Sequence, residues 1–382
     1  MTMTTFGIDD TEDEFYAPDS DDFTQPAGAL LRAREVEVPV LAGAGRAWQV
    51  VYSTRTAFHA PLPASGLVVA PEQAVGGDGS ILLYCPRFQG LGGRIAPSRR
   101  LDQTALADVA ADVAMALARG WVVGVPDGQG VGMSALGAHP FLSGAAAAHT
   151  VLDLGRAITS STDFGASGPC AIWGYGDGGR AAVLAAETHP DYAPELDLRG
   201  VAAGAVVGNL RALVADLDAG PWAGLVFAGM VGLARAYSHL PVTHLLTEEG
   251  RRGLAHAQTL TVDELIETYR HIPLGTWCER REPWNDPMWR YVLAAESAAY
   301  RAPGVPVHLY HGTEDALVPI ALSRALFAEY RALGADLSWR EYNTGHTRTA
   351  AVGAREALTQ LNSFLPRHRT PSAATISQPP AT

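Results

Sequence analysis

Three short segments of the chain carry residue types that do chemistry together. Gly174-Tyr175-Gly176-Asp177-Gly178 has the G-x-S-x-G spacing of a nucleophile elbow, the sharp strand-to-helix turn that exposes a hydroxyl in a cleft, at every position but one. The nucleophile position holds Gly176. Downstream, Asp315 ends the segment His311-Gly312-Thr313-Glu314-Asp315 behind an apolar run, and His346 follows in Thr344-Gly345-His346. Elbow, acid and histidine in that chain order form a triad in which the carboxylate fixes the imidazole tautomer and the imidazole takes a proton. A base with its orienting carboxylate is therefore expected, and a hydroxyl able to form an acyl-enzyme is not. Removing the serine of a reference protease triad costs about 10⁶ in turnover, so ester hydrolysis by that route is excluded. The remaining parts suit abstraction of a proton next to a carbonyl, where a base contributes about 10² to 10⁴ in rate.

Other candidates are weaker. Asp177 stands one residue too late to be a carboxylate nucleophile and reads as a helix N-terminal charge. His308 and His311 are separated by Leu309 and Tyr310 on a strand pattern, with no carboxylate-rich motif to complete a metal site, and read as structural. Ser134 and Ser167 lack a strand–turn–helix context. Neither a metal nor a cofactor is expected.

The elements that must position these residues follow from periodicity. Glu35 to Val40, Trp48 to Ser53, Gly66 to Ala70 and Ile81 to Cys85 read as strands. Leu106, Val109, Val113 and Leu117 share one face of a helix that Gly120 can cap, with a buried strand at Trp121 to Val125. A helix over Leu142 to Ile158, a strand over Cys170 to Tyr175 and a helix over Gly179 to Thr188 continue the alternation. It predicts a mostly parallel sheet with helices on both faces. From Leu210 to Tyr300 helical stretches, among them Leu225 to Ala236 and Val262 to His271, follow one another without a strand pattern. Trp222, Trp277, Trp284 and Trp289 lie among them. Trp222 and Trp277, with Tyr175 of the elbow, are the candidate pocket residues, although packing within the segment's own core explains each tryptophan equally well. The sheet pattern resumes at Val305 to His311, followed by a helix over Ala321 to Leu333, a strand over Ser338 to Tyr342 and a helix near Ala351 to Phe364.

Composition narrows the function classes. The 382 residues are 47% hydrophobic with net charge −12, enough apolar material for a large core and the wrong sign for a nucleic-acid surface. All 28 basic residues are Arg, which excludes Schiff-base lysines and Walker-type phosphate loops. Cys85, Cys170 and Cys278 are too few for a disulfide framework; three buried thiols are favoured and one disulfide stays open. The run Ala219 to Ala234 is shorter than the ~20 residues of a membrane span. The acidic residues of Met1 to Phe23, without an apolar stretch, are the reverse of a secretory signal and predict a cytoplasmic protein. Oligomeric state leaves no readable mark.

The chain resembles the secretory lipases, α/β-hydrolases with a large helical lid. The segments that carry the resemblance are Tyr84 to Ser98 (YCPRFQGLGGRIAPS), Gly120 to Gly130 (GWVVGVPDGQG), Val151 to Ala157 (VLDLGRA), the elbow Trp173 to Gly179, and those around Asp315 and His346. It implies an α/β fold of the α/β-hydrolase type, with a core over 35–209 and 301–365 and a helical cap over 210–300. An acidic segment over 1–34 would precede the core, and a disordered tail over 366–382 would follow. It also implies that the nucleophile falls on Gly176, the acid on Asp315 and the base on His346. Oxyanion donors would be the N–H of Asp177 and one from the loop Phe88, Gln89, Gly90. The partner would be a small apolar acylated molecule. A second resemblance, resting on Gly176, the retained dyad and the acidic start, is to hydrolase-like enzymes of spirotetronate polyketide pathways. It implies a lyase that eliminates acetate from a tetronate. The alternatives are a lipase or esterase whose serine at position 176 is lost or replaced, and a catalytically dead binder of acyl compounds.

Overall fold

Runs that are apolar at almost every position become strands covered on both faces. These are β4 (Ile81–Cys85), β5 (Val122–Pro126), β6 (Cys170–Tyr175) and β8 (Val307–Gly312), each buried from end to end. The computed structural model describes residues 13–41, 43–72, 79–92 and 95–365. The first twelve residues of the expected acidic segment and the tail expected over 366–382 lie outside the described residues.

With β1 (Leu30–Val36), β2 (Ala44–Arg55), β3 (Pro61–Pro71), β7 (Leu198–Gly204) and β9 (Leu337–Tyr342), these strands form one sheet in the order β1-β2-β3-β5-β4-β6-β7-β8-β9. The pairs β1·β2, β2·β3 and β3·β5 are antiparallel and the rest parallel. The first strand is a correction. It lies over Leu30–Val36 rather than Glu35 to Val40, because pairing of Leu30 with Tyr52 and Val36 with Ala47 sets its register, so the sheet begins inside the segment expected to end at residue 34. Sequence reading also misses β7, whose Leu-Arg-Gly-Val-Ala-Ala-Gly has small residues at its centre and end and only Leu198 as a large apolar side chain. Small residues are what that place requires, since a Cβ on Gly200 would lie 2.2 Å from the Phe364 ring.

Helices α1 (Pro97–Arg100), α2 (Ala107–Leu117), α3 (Gly144–Ser160) and α4 (Asp177–Tyr192) alternate with the central strands. Between β7 and β8 come α5 (Leu210–Leu217), α6 (Ala223–Ala236), α7 (Glu248–Ala257), α8 (Val262–Thr268) and α9 (Pro287–Ala295), and α10 (Ile320–Ala332) and α11 (His346–Phe364) close the fold. One sheet face packs on α3, α4 and α10 through residues such as Leu152, Val183 and Tyr330. The other packs on α2 and α11 through Val113, Ala357 and Leu361. Residues 206–306 form no strand, and their helices gather around a third cluster that includes Phe227, Trp289 and Val292. The three cysteines are buried free thiols.

One buried acid makes the core sensitive to pH. Tyr84 donates from its hydroxyl to Asp112 Oδ2 at 2.7 Å. Burial pushes the Asp112 carboxyl up from 3.8 to about 6 against the lowering effects of Tyr84 and Arg87. A raised folded value means that this contribution is fully present below the unfolded pKa and is lost as pH rises through about 6. Asp112→Asn is expected to match the parent protein in melting temperature at acid pH and to exceed it at pH above neutrality, as read by scanning calorimetry. A variant that melts lower at alkaline pH refutes this account.

Candidate active site

The elbow is built by close packing. β6 turns into α4 at Gly176 with φ 60° and ψ −121°, a left-handed conformation that glycine adopts without cost. Gly176 N donates to Gly204 O at 2.9 Å, and Arg180 N returns to Gly176 O at 2.9 Å. A Cβ on Gly174 would lie 2.2 Å from Gly178 O and one on Gly178 would lie 2.1 Å from Cys85 O, so the flanking glycines are demanded by contact of strand, helix and the next strand's end. At Gly176 itself there is room: the nearest atoms to an ideal Cβ are His346 Nε2 at 3.7 Å and Cε1 at 3.8 Å.

His346 is the first residue of α11, five residues before the start that periodicity predicts. Its Nδ1 lies 2.7 Å from Asp315 Oδ2, which assigns the ring proton to Nδ1 and leaves Nε2 facing the elbow. Asp315 Oδ1 accepts from the N–H groups of Leu317 (3.0 Å) and Val318 (2.8 Å), and His311 Nε2 stands 3.4 Å from Oδ2. Burial pushes the Asp315 carboxyl up, but the hydrogen bonds from His311 and His346, with the Val318 N–H, outweigh it and hold the group well below the usual carboxylate range. His308 is held at Nδ1 by Ser338 Oγ at 2.8 Å, in the structural role expected of it.

Two expected pocket residues are placed elsewhere. Tyr175 is buried beneath the histidine, its hydroxyl donating to His346 O at 2.8 Å and its ring 4.9 Å from the imidazole, because residue alternation along β6 turns it away from the cleft. Trp277 packs among Phe227 and Tyr269, at 5.6 and 5.7 Å between ring centroids, inside the core of the inserted helices. Trp222 does border the cavity beside Gly176 and His346, which measures about 380 Å³ and takes apolar walls from Val214, Leu217, Val226 and Ile266.

Phe88, Gln89 and Asp177 also line that cavity. Gly90 is locked behind them: Val262 N donates to Gln89 O at 2.9 Å, Leu91 N donates to Leu260 O at 3.1 Å, and Gly90 bridges Thr261. The loop is thereby stitched to the inserted helices, a long-range pairing without a local sequence signal. Arg180 is a second residue that sequence reading passes over. It is buried, borders the cavity and contacts Glu296 at the end of α9.

The secretory lipase family model matches residues 103–369. The chain belongs to the secretory lipase family. Lipase A of Arthroderma benhamiae is 27% identical over 94% of this chain and 80% of that protein. A Mycobacterium tuberculosis protein named probable inactive lipase MT1628 is 28% identical over 86% of this chain and 76% of its own length. In structure, Candida antarctica lipase A in its closed state superposes with a TM-score of 0.83 at 22% identity, covering 97% of this chain and 91% of that one, which shows the α/β-hydrolase fold. Membership in a secretory lipase family overturns the expectation of a cytoplasmic protein and points outside the cell. The relatives are named as lipases, and the likeness to acetate-eliminating enzymes finds no support among them.

The stitched loop gives a test of how this lipase-family site is held. Gly90 has φ +135°, and a Cβ there would lie 2.6 Å from Leu260 O. Gly90→Ala is expected to cost about 1–3 kcal/mol, read as a fall in chemical-denaturation midpoint at unchanged slope. A midpoint equal to that of the parent protein refutes the stitching.

Proposed function

We propose that this member of the secretory lipase family holds an apolar acyl compound in the capped cavity and forms no acyl-enzyme, because Gly176 occupies the nucleophile position of an otherwise complete triad. The observation that carries the reading is the 3.7 Å between His346 Nε2 and an ideal Cβ on Gly176. A hydroxyl one bond further out would fall within hydrogen-bond reach of the base, and glycine supplies none. In this reading His346 is the base, Asp315 its orienting acid, and the oxyanion donors are the N–H of Asp177 with one from Phe88, Gln89 or Gly90. The likeness to a relative named probable inactive lipase supports it.

A second reading keeps the dyad at work. His346, held by Asp315 at 2.7 Å beside a position without a side chain, would take a proton next to a carbonyl, and an acyloxy group such as acetate would depart from a tetronate-like molecule. Family membership favours the first reading. Incubating the protein with an acetylated tetronate, followed by mass spectrometry, separates the two, since loss of acetic acid that disappears in His346→Ala belongs to the second alone.

Gly176→Ser tests the first reading directly. The variant is expected to hydrolyse a short p-nitrophenyl ester at least about 10²-fold faster than the parent protein, a fraction of the ~10⁶ that a complete triad supplies, because a side chain at positive φ is strained. The gain should vanish in Gly176→Ser/His346→Ala. A folded Gly176→Ser protein with no esterase activity refutes the assignment of the triad positions.

A further inference from the structure

Behind the Phe88 loop lies a smaller chamber of about 70 Å³, and Asp177 and Arg180 border both it and the capped cavity. Arg180 is almost wholly buried, with 2% of its surface exposed. Its Nη2 donates to the Glu296 carbonyl and lies 3.7 Å from Glu296 Oε2. That carboxylate is engaged at the start of α3, accepting from Ser143 Oγ at 3.1 Å and Gly144 N at 2.5 Å. The Arg180 Nε–H has no acceptor among the described residues. A buried guanidinium N–H is a strong donor that is costly to leave unmatched. One turn earlier on the same helix, the first N–H groups of α4 have no intrahelical acceptor and form the positive end of a 16-residue helix dipole. The unmatched Nε–H of a guanidinium whose charge is otherwise paired with Glu296, and the helix N-terminus, both present donors to an acceptor such as a carboxylate.

We propose that these two features form a carboxylate site, so that the ligand is a free apolar acid with its chain in the capped cavity and its carboxylate between the α4 N-terminus and Arg180 Nε. This rests on the reading that the cavity holds an apolar acyl compound. Asp177 is the neighbour that sets the terms. Burial pushes its carboxyl up, against the pull of Arg180 and His139, which weakens its opposition to an incoming carboxylate. His139, pushed down by burial, adds no positive charge of its own, and Arg87, which also borders both chambers, is partly exposed and paired with Asp108, which leaves Arg180 as the buried cation beside them. Glycine at position 176 leaves space beside His346 for the second carboxylate oxygen. An ester carries no charge to meet the guanidinium, and an amine is repelled by it.

Titration calorimetry of the full chain with octanoate, methyl octanoate and octylamine tests the proposal. Octanoate is expected to bind at least about 10-fold tighter than either other molecule, and Arg180→Gln to reduce that preference to about 2-fold. Arg180 also ties Glu296 to the core, so a melting curve establishes that the variant is folded. Asp177→Asn, which leaves that tie in place and keeps a donor without a charge, is expected to bind octanoate at least as tightly as the parent protein. Methyl octanoate binding as tightly as octanoate, or full preference retained in folded Arg180→Gln, or preference lost in Asp177→Asn, overturns the carboxylate site alone. Binding of none of the three molecules overturns both it and the reading beneath it.

Discussion

Asp315 presents no side-chain surface to solvent, and a carboxylate so placed persists only where donors converge on it. Three parts of the chain supply them. The turn after β8 gives the N–H groups of Leu317 and Val318, β8 itself gives His311, and the start of α11 gives His346. The arrangement fixes more than the acid. It pins the end of β8 to the start of α11, and it sets the imidazole in the tautomer that leaves Nε2 toward the elbow. A ring that takes protons sits here at the positive end of a 19-residue helix, an unfavourable place for an imidazolium, and the ionised carboxylate beside it offsets that field. His311 is in turn held by Ser323 Oγ at 2.7 Å and Val318 O at 2.9 Å, and Ser323 donates to Val206 O at 2.6 Å, so the acid's surroundings reach back to the residues just after β7.

The central fold is legible because burial on both faces leaves a plain mark. Cys170 to Tyr175 reads as a strand and is one to the residue, and the four helices and strands around it fall within a few positions of their patterns. Legibility fails where the deciding partner is distant. β7 has glycine at 200 and 204 because Phe364 and Tyr310 press on it there from other elements, so its hydrophobic signature is weak. β1 takes its register from β2, not from its own alternation. In the site, the chain order of Gly176, Asp315 and His346 is enough to predict that they meet, whereas Trp222 and Trp277 look alike in sequence and differ only in which way the inserted helices turn them. Arg180 and the Gly90 bridge depend on contacts across 116 and more than 150 residues, respectively, for which no local pattern exists.

The elbow shows how its glycine spacing follows from packing. Gly174 and Gly178 are needed for the approach of α4 to β6 and to the end of β4, whatever stands at position 176. The left-handed turn at 176 is likewise set by how the strand enters the helix. A glycine in that turn relieves strain that a serine would have to bear. Glycine at position 176 is therefore conformationally favourable, and packing does nothing to oppose it. The hydrophobic and steric terms that preserve the fold are separate from the identity of the residue at position 176, which is why family membership and an intact His346–Asp315 pair are compatible with glycine there.

The same separation bears on the charges around the cavity. An acid at position 177, at the head of α4, would oppose an oxyanion forming at the neighbouring N–H groups if it were ionised, since both charges would share one helix terminus. Burial works against that ionisation, and Arg180 one turn further along works for it. A neutral Asp177 is a donor and an ionised one is an acceptor, so a residue that is neither base nor nucleophile bears on the polar group placed beside it.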